Sequence, residues 1–155
     1  MASPTRAPPT QGIYVGYRYY DKLGVKVRYP FGHGLSYSTF QYDRLHVEHE
    51  GGGVTVTFEI SNTGPVTGTA VPQVYVGPAP GVPAYVQQAV HALRGFERVV
   101  LPPGEVRQVR IPLAGRSFEY WDSPSQSWRR GYGKRQIWVG ESVGDLRLTG
   151  AVEVN

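Results

Sequence analysis

The clearest pattern in the chain is a strict alternation of apolar and polar residues over positions 54–60. Valine, phenylalanine and isoleucine occupy the even positions, and threonine and glutamate occupy the odd ones. Because side chains of a β-strand point alternately to its two faces, this pattern predicts a strand with one buried face. Shorter runs of the same kind predict further strands near residues 40–47, 70–76, 91–101, 106–113, 117–121, 132–140 and 145–154.

Turn residues separate these predicted strands at the short intervals typical of a β-sandwich. The three glycines at 51–53 and the Pro-Pro-Gly-Glu sequence at 102–105 each indicate a turn. Near Asp43 the apolar positions change face, which predicts a bulge. Pro72 places its strand at a sheet edge or at a bulge. Residues 40–155 are therefore predicted to form an all-β domain, an immunoglobulin- or fibronectin type III-like sandwich of about seven strands.

The segment before the predicted sandwich has a different character. Read as a strand, residues 12–21 carry apolar or aromatic side chains on both faces, with Tyr17 and Tyr19 on the same one. Such a strand needs cover on both sides, which a chain terminus does not easily supply. We therefore expect residues 12–39 to be an extended segment that packs against something outside this chain. Residues 1–11 are predicted to be a flexible leader.

Composition supports a folded domain and excludes several kinds of site. Glycine (20 residues) and proline (13) are abundant, but the 11 tyrosines, 5 phenylalanines and 3 tryptophans are not typical of a disordered chain. The absence of cysteine excludes disulfides, thiolate metal sites and cysteine nucleophiles. The net charge of +4 is too diffuse to indicate nucleic-acid binding, and no apolar run is long enough to span a membrane. We expect neither nucleic acid nor membrane as a partner.

No group of residues in the sequence predicts a catalytic, metal or cofactor site. A glycosidase needs two placed carboxylates, and no local pair stands out among the 12 acidic residues. His46 and His49 face opposite ways on a strand, so they cannot readily share a metal ion. The glycine-rich stretches lack the residue order and the following helix of a phosphate-binding loop. We predict no catalytic residue, no metal ligand and no cofactor.

Aromatic residues in the second half of the chain leave a binding role open. Trp121 and Trp128 are candidate sugar contacts, because aromatic faces are flat and apolar. Trp128 precedes two arginines, a mixture that also suits stacking on nucleic-acid bases. A solvated hairpin with Trp128 buried in the core is the simpler expectation. The long loop at 77–90, rich in proline, glycine and alanine, is expected to be functional or disordered.

Short sequence segments along most of the chain resemble those of a known family. Residues 15–21 and 29–40 resemble the C-terminal region of family 3 glycoside hydrolases of the β-glucosidase type. In that family the first string closes an α/β sandwich domain, and the second leads into a fibronectin type III-like domain. The resemblance continues in the same order through residues 56–64, 71–76, 93–99, 101–105 and 138–142.

The resemblance implies a domain organisation and a role. Residues 12–39 correspond to the tail of the α/β domain with its connector, and residues 40–155 correspond to the fibronectin type III-like domain. The family's aspartate nucleophile and its usual glutamate acid/base belong to upstream domains, so no catalytic residue is carried over. The resemblance therefore implies a non-catalytic accessory domain, whose parent enzyme hydrolyses terminal β-glucosyl residues. The alternative is a carbohydrate-binding module that acts through exposed aromatic residues.

The partners implied by the resemblance are the upstream catalytic domains of such an enzyme. Five aromatic residues are expected to be the contacts: Tyr17, Tyr19, Tyr20, Tyr29 and Phe31. An aromatic patch that lacks its partner also predicts self-association of the chain.

Overall fold

The computed structural model describes residues 12–155, which form two stacked β-sheets with smaller elements around them. In chain order, the elements are α1 (Tyr17–Leu23), β1 (Phe40–Glu50), β2 (Gly53–Asn62), β3 (Gly68–Ala70), β4 (Gln73–Val76), β5 (Ala92–Phe96), β6 (Val99–Leu101), β7 (Val106–Leu113), a 3₁₀ helix (Gly115–Phe118), β8 (Glu119–Asp122), β9 (Ser127–Arg130), β10 (Gly133–Ser142) and β11 (Asp145–Val154). One sheet has the order β1-β2-β7, and the other has the order β11-β10-β4-β5. These seven strands confirm the predicted all-β sandwich.

The core lies between the two sheets and is built from alternate residues of their strands. In β2, Val56, Phe58 and Ile60 are fully buried, and the residues between them are partly exposed. Val74 of β4 and Ile137 of β10 are equally buried in the facing sheet. The alternation over 54–60 therefore marks the core face of β2 as predicted. Removal of this apolar surface from water is the main force that holds the sheets together.

Strand β1 contains the predicted bulge. Its register against β2 shifts between Asp43 and His46, and Arg44 within the bulge has a φ of 56°. The extra residue changes which side chains face the core. Tyr42 before the bulge and Val47 after it both pack against the core cluster.

Two of the predicted strands are each divided in the structure. The predicted strand at 70–76 becomes β3 and β4, which are separated at Pro72, a residue that lacks the N–H needed for a continuous ladder. The one predicted at 91–101 becomes β5 and β6. Strands β3 and β6 then pair with each other as a small separate sheet.

The predicted strand at residues 12–21 is wrong, because the chain forms helix α1 there. Gly16 and Gly24 flank the helix with φ values of 60° and 62°, which glycine adopts readily, and the N–H of Gly24 bonds to the carbonyl of Asp21. The segment is therefore not extended throughout. Residues 1–11, the predicted leader, lie outside the described residues. No helix among residues 12–155 is long and apolar enough to cross a membrane.

Candidate functional site

The N-terminal segment, which we define as residues 12–39, lies across the outer face of the four-stranded sheet. Tyr75 of β4 points away from the core, since it alternates with the core residues Val74 and Val76, yet it is fully buried. Its hydroxyl donates to Oε1 of Gln73 at 2.5 Å. Burial raises the pKa of Tyr75, and the neighbouring Tyr17 and Asp21 raise it further.

Helix α1 is fixed to the edge strand β5. The hydroxyl of Tyr17 donates to the carbonyl of His91 and accepts the N–H of Leu93, each at 3.2 Å. The carboxylate of Asp21 accepts the N–H of His91 at 3.2 Å and lies 2.9 Å from its Nδ1. The ring of His91 in turn meets Trp138 edge-on, with centroids 4.5 Å apart. Since α1 buries no residue of its own, these contacts hold it in place.

Phe31 attaches the second half of the N-terminal segment. Its ring stacks on Tyr17 with centroids 4.3 Å apart and an interplanar angle of 16°. Its carbonyl accepts the N–H of Val143 at 3.0 Å, and the carbonyl of Gly32 accepts Nε2 of Gln73 at 3.1 Å. The segment therefore bonds to β4, to β5 and to the turn after β10.

The outer side of the N-terminal segment remains open to solvent. Of the five predicted interdomain contacts, Tyr17 is half-buried by the contacts just described, whereas the other four are exposed at 42% (Tyr19), 46% (Tyr20), 67% (Tyr29) and 43% (Phe31). The structure adds apolar residues that the sequence analysis did not single out as contacts. These are Leu23, Val25, Leu35 and Tyr37, all exposed.

The expectation that Trp128 is buried in the core is wrong. Trp121 and Trp128 face each other across the hairpin β8–β9, with ring centroids 5.6 Å apart in an edge-to-face arrangement. Both are about half exposed, at 46% and 47%. The reason is that this hairpin is a separate two-stranded sheet outside the sandwich. The guanidinium of Arg116 lies 4.2 Å from the ring of Trp128.

Both tryptophans line a cleft of about 430 Å³, a volume within the range usual for ligand sites. The cleft lies between the hairpin, the start of the N-terminal segment and the loop at 77–90, which has no regular secondary structure. Tyr85 and Tyr120 add further aromatic surface. The charged residues of the lining are Arg18, Arg94, Glu119 and Arg135, and we call it the arginine cleft.

Arg135 is the buried member of this group, with 5% of its surface exposed. Its Nε donates to the carbonyl of Gly77 at 2.9 Å and its Nη1 to the carbonyl of Gly131 at 3.3 Å. Burial and, to a smaller extent, repulsion from Arg94 together lower its pKa to about 10. Arg135 was not among the candidate residues predicted from the sequence. The signal was present, because Arg135 shares a strand face with Ile137 and Val139.

The two histidines considered as metal ligands are not brought together with other ligands. Nε2 of His46 lies 3.5 Å from Oε2 of Glu48, and both side chains are exposed. Within residues 12–155, no three His, Cys, Asp or Glu side chains are grouped so that they could hold a metal ion.

Residues 70–143 match the model of the fibronectin type III-like domain. The chain contains a fibronectin type III-like domain. The match begins in β3 and ends just after β10, so it includes β4, β5, β7 and the hairpin that carries the two tryptophans.

Relatives of this fibronectin type III-like chain extend the similarity to nearly all of its length. It is 40% identical to the probable β-glucosidase D of Aspergillus niger, over 94% of this chain and 21% of that protein. It is equally identical to the exo-α-(1→6)-L-arabinopyranosidase of Bifidobacterium longum, over 94% of this chain and 19% of that protein. The crystal structure of a β-glucosidase from Streptomyces venezuelae superposes with a TM-score of 0.90 and 39% identity, covering 94% of this chain and 18% of that one.

These similarities confirm the resemblance to the C-terminal region of family 3 glycoside hydrolases. The chain spans about a fifth of the length of the curated relatives that it matches. It therefore corresponds to a small part of longer, multidomain enzymes.

Proposed function

We propose that this chain is a non-catalytic accessory region of a β-glucosidase-type glycoside hydrolase, and that its N-terminal segment docks it onto the catalytic domains. The observation that carries the proposal is that the N-terminal segment has two different sides: the inner side is bonded to the sandwich, and the outer side is exposed to solvent. The inner side is bonded to the sandwich through Tyr17, Asp21 and Phe31. The outer side presents Tyr19, Tyr20 and Tyr29 to solvent. Exposed apolar groups of this kind mark interaction surfaces.

The relatives support the choice of partner. Since the chain spans about a fifth of their length, the remaining four fifths supply domains against which this surface could pack. Tyrosine is well suited to such a contact, because its ring buries apolar area while its hydroxyl stays hydrogen-bonded.

Replacing the matching region of the Aspergillus niger enzyme with this chain tests the docking role. We expect the chimaera to hydrolyse an aryl β-glucoside, and we expect Tyr19→Ser with Tyr20→Ser to lower its midpoint of thermal unfolding. Tyr132→Ser is the matched control, because Tyr132 is 60% exposed but lies outside the N-terminal segment. Equal midpoints of thermal unfolding for the double tyrosine variant and the Tyr132→Ser control would contradict the docking role.

The isolated chain provides two further tests. It should not turn over an aryl β-glucoside, and turnover would exclude a non-catalytic role. It should bind a hydrophobic dye and self-associate as its concentration rises, and both effects should weaken with Tyr19→Ser and Tyr20→Ser. A strictly monomeric chain that binds no dye would argue against a missing partner.

A second candidate function is carbohydrate binding through Trp121 and Trp128. The observation that favours it is that both rings are half exposed and line one cleft. Pull-down on insoluble glucans and titration with cello-oligosaccharides test it, and no binding of any saccharide would remove it.

A further inference from the structure

The arginine cleft brings together three guanidinium groups without a matching set of carboxylates. None of Arg18, Arg94 and Arg135 forms an ion pair with a carboxylate among residues 12–155. Glu119 is the only acidic residue in the lining. Asp122 lies nearby in sequence, but its carboxylate already accepts hydrogen bonds from Tyr85, Ser125 and Arg129.

Arg94 lies close enough to both Arg18 and Arg135 for like-charge repulsion. Arg94 at the cleft edge has its pKa lowered by loss of hydration around its guanidinium and then by repulsion from Arg18. Arg94 in turn lowers the pKa of Arg135. Like charges held together at a partly buried site destabilise a protein unless an anion offsets them. Because all three arginines line one cleft, an anion bound there would offset the repulsion between them.

The hydrogen bonds of Arg135 leave part of its guanidinium available. Its Nε and Nη1 are used by the carbonyls of Gly77 and Gly131, whereas Nη2 makes no hydrogen bond within the described part of the chain. The two carbonyls fix the plane of the guanidinium. A guanidinium held in this way can donate from Nη2 to a carboxylate oxygen, and such a charge-assisted hydrogen bond is stronger than a neutral one.

Aromatic rings in the same cleft narrow the class of ligand further. Trp121 and Trp128 offer flat apolar surface, and Tyr120 adds a third ring. A small inorganic anion would leave these rings unused. A sugar ring can stack on them, and a carboxylate on that ring can reach the arginines.

From these observations the geometry points to an acidic saccharide, a uronate of one or two rings, as the ligand of the arginine cleft. Its carboxylate pairs with Arg135, Arg94 and Arg18, and its ring packs against the Trp121–Trp128 pair. This inference deepens the second function proposed above and rests on it, because it names the class of sugar. It does not depend on the docking role of the N-terminal segment.

Calorimetric titration of the chain with digalacturonate and with cellobiose tests the inference. We expect saturable binding of digalacturonate and at least about tenfold weaker binding of cellobiose, the effect of losing one charge-assisted contact. Digalacturonate affinity should fall as sodium chloride is raised, since salt screens the exposed members of the cluster.

Variants then assign the binding to the cleft. Arg94→Gln with Arg18→Gln should weaken digalacturonate binding about tenfold or more. Trp128→Ala should weaken it as well. Arg98→Gln is the matched control, because Arg98 is an exposed arginine outside the cleft, and it should leave the affinity unchanged. Circular dichroism of each variant verifies that the fold is kept, and Arg135 is left intact because it is buried.

Each outcome has a distinct meaning. Equal affinity for cellobiose and digalacturonate would overturn the acidic-sugar inference but keep carbohydrate binding, and no binding of either would overturn both. Equal binding of a hexaglutamate peptide would show that charge alone is recognised, which would also overturn the inference. Loss of binding in Arg98→Gln equal to that in Arg94→Gln with Arg18→Gln would place the site elsewhere.

Discussion

The carboxylate of Asp21 lies 2.9 Å from Nδ1 of His91 and also accepts the backbone N–H of that residue at 3.2 Å. One side chain thus ties helix α1 to the residue that precedes the edge strand β5. Both side chains are mostly buried, at 13% and 19% exposure. Together with the hydrogen bonds of Tyr17, this contact holds helix α1, and with it the aromatic outer side of the N-terminal segment, against the sandwich.

Replacing Asp21 with alanine should therefore loosen the helix. The N–H of His91 would lose its partner in a largely buried position, at a cost of about 1–3 kcal/mol. We expect a lower free energy of unfolding in urea and faster amide hydrogen exchange over residues 17–23. Asp43→Ala is the control, because Asp43 is exposed and its carboxylate accepts a hydrogen bond only from Gln41 among the described residues. Unchanged exchange in the Asp21 variant would mean that other contacts hold the helix.

Gly95 in strand β5 illustrates a requirement for glycine that comes from packing. A Cβ at this position would lie 2.6 Å from Cγ2 of Ile111 and 2.9 Å from Cδ2 of Leu113, both in the core. Gly95→Ala should therefore destabilise the domain by about 1–3 kcal/mol, the usual range for overpacking. Urea unfolding measures the change.

Gly34→Ala is the control for this substitution. Its Cβ would meet no atom within 4 Å, and its backbone does not adopt a positive φ. We expect a change close to zero there. If Gly95→Ala and Gly34→Ala were equally stable, the close approach of β7 to Gly95 would not require a glycine at that position.

The alternation over 54–60 predicts β2 because one face of that strand is buried along its whole length. Helix α1 was missed for the opposite reason. Residues 12–21 were predicted to be a strand, but they have apolar groups at almost every position, a pattern that does not distinguish a strand from a helix. The glycines at 16 and 24 flank the helix through their backbone conformation. A short helix that depends on contacts with distant residues leaves little signal in its own sequence.

The candidate site was predictable only in part. The aromatic residues of the N-terminal segment were visible from composition, and the resemblance suggested what they are for. The arginine cleft was not visible, because Arg18, Arg94 and Arg135 come from three distant parts of the chain. The exposure of Trp128 depends on hairpin β8–β9 lying outside the main sheets, which the alternation of a four-residue strand does not reveal.

Tyr85 should control the position of the loop at 77–90. Its hydroxyl donates to Oδ1 of Asp122 at 2.5 Å, although more than half of the residue is exposed. We expect Tyr85→Phe to speed amide exchange in this loop. Hydrogen bonds from Ser125 and then Tyr85 lower the pKa of Asp122, so this variant should also raise that pKa.

Hydrogen exchange and an NMR titration of the Asp122 carboxyl group measure the two effects. Tyr132→Phe is the matched control, because Tyr132 is similarly exposed and makes no side-chain hydrogen bond in the part of the chain that the structure describes. A loop that exchanges equally in both variants would show that the Tyr85 hydroxyl does not anchor it.

Glu141 on strand β10 is a carboxylate whose surroundings favour its neutral form. Its Oε2 lies 3.2 Å from Nη2 of Arg147, but its Oε1 is buried and has no hydrogen-bond partner among residues 12–155. Burial raises the pKa of Glu141 above its ordinary 4.5, and the nearby Asp145 raises it further, against the opposing effects of Arg147 and His33.

The raised pKa of Glu141 predicts the direction in which the stability of the folded chain changes with pH. Because the folded-state pKa is above the unfolded one, the folded protein binds more protons between the two values. The contribution of Glu141 to the free energy of unfolding is therefore greatest below pH 4.5 and falls as pH rises through the folded-state pKa. The amide of Glu141→Gln does not titrate, and Arg147 keeps its pairing with Asp145 at 2.9 Å. The stability of the variant relative to the native chain should rise across that window and then stay constant.

Urea unfolding at intervals from about pH 4 to pH 8 measures this difference curve. Glu153→Gln, an exposed substitution on β11, is the control, and its curve shows what removal of a surface carboxylate does by itself. A difference that falls with rising pH would mean that the ion pair with Arg147 outweighs burial, so that the folded-state pKa lies below 4.5 instead of above it. The sign of the slope therefore decides whether the unpaired Oε1 or the paired Oε2 dominates the energetics of this carboxylate.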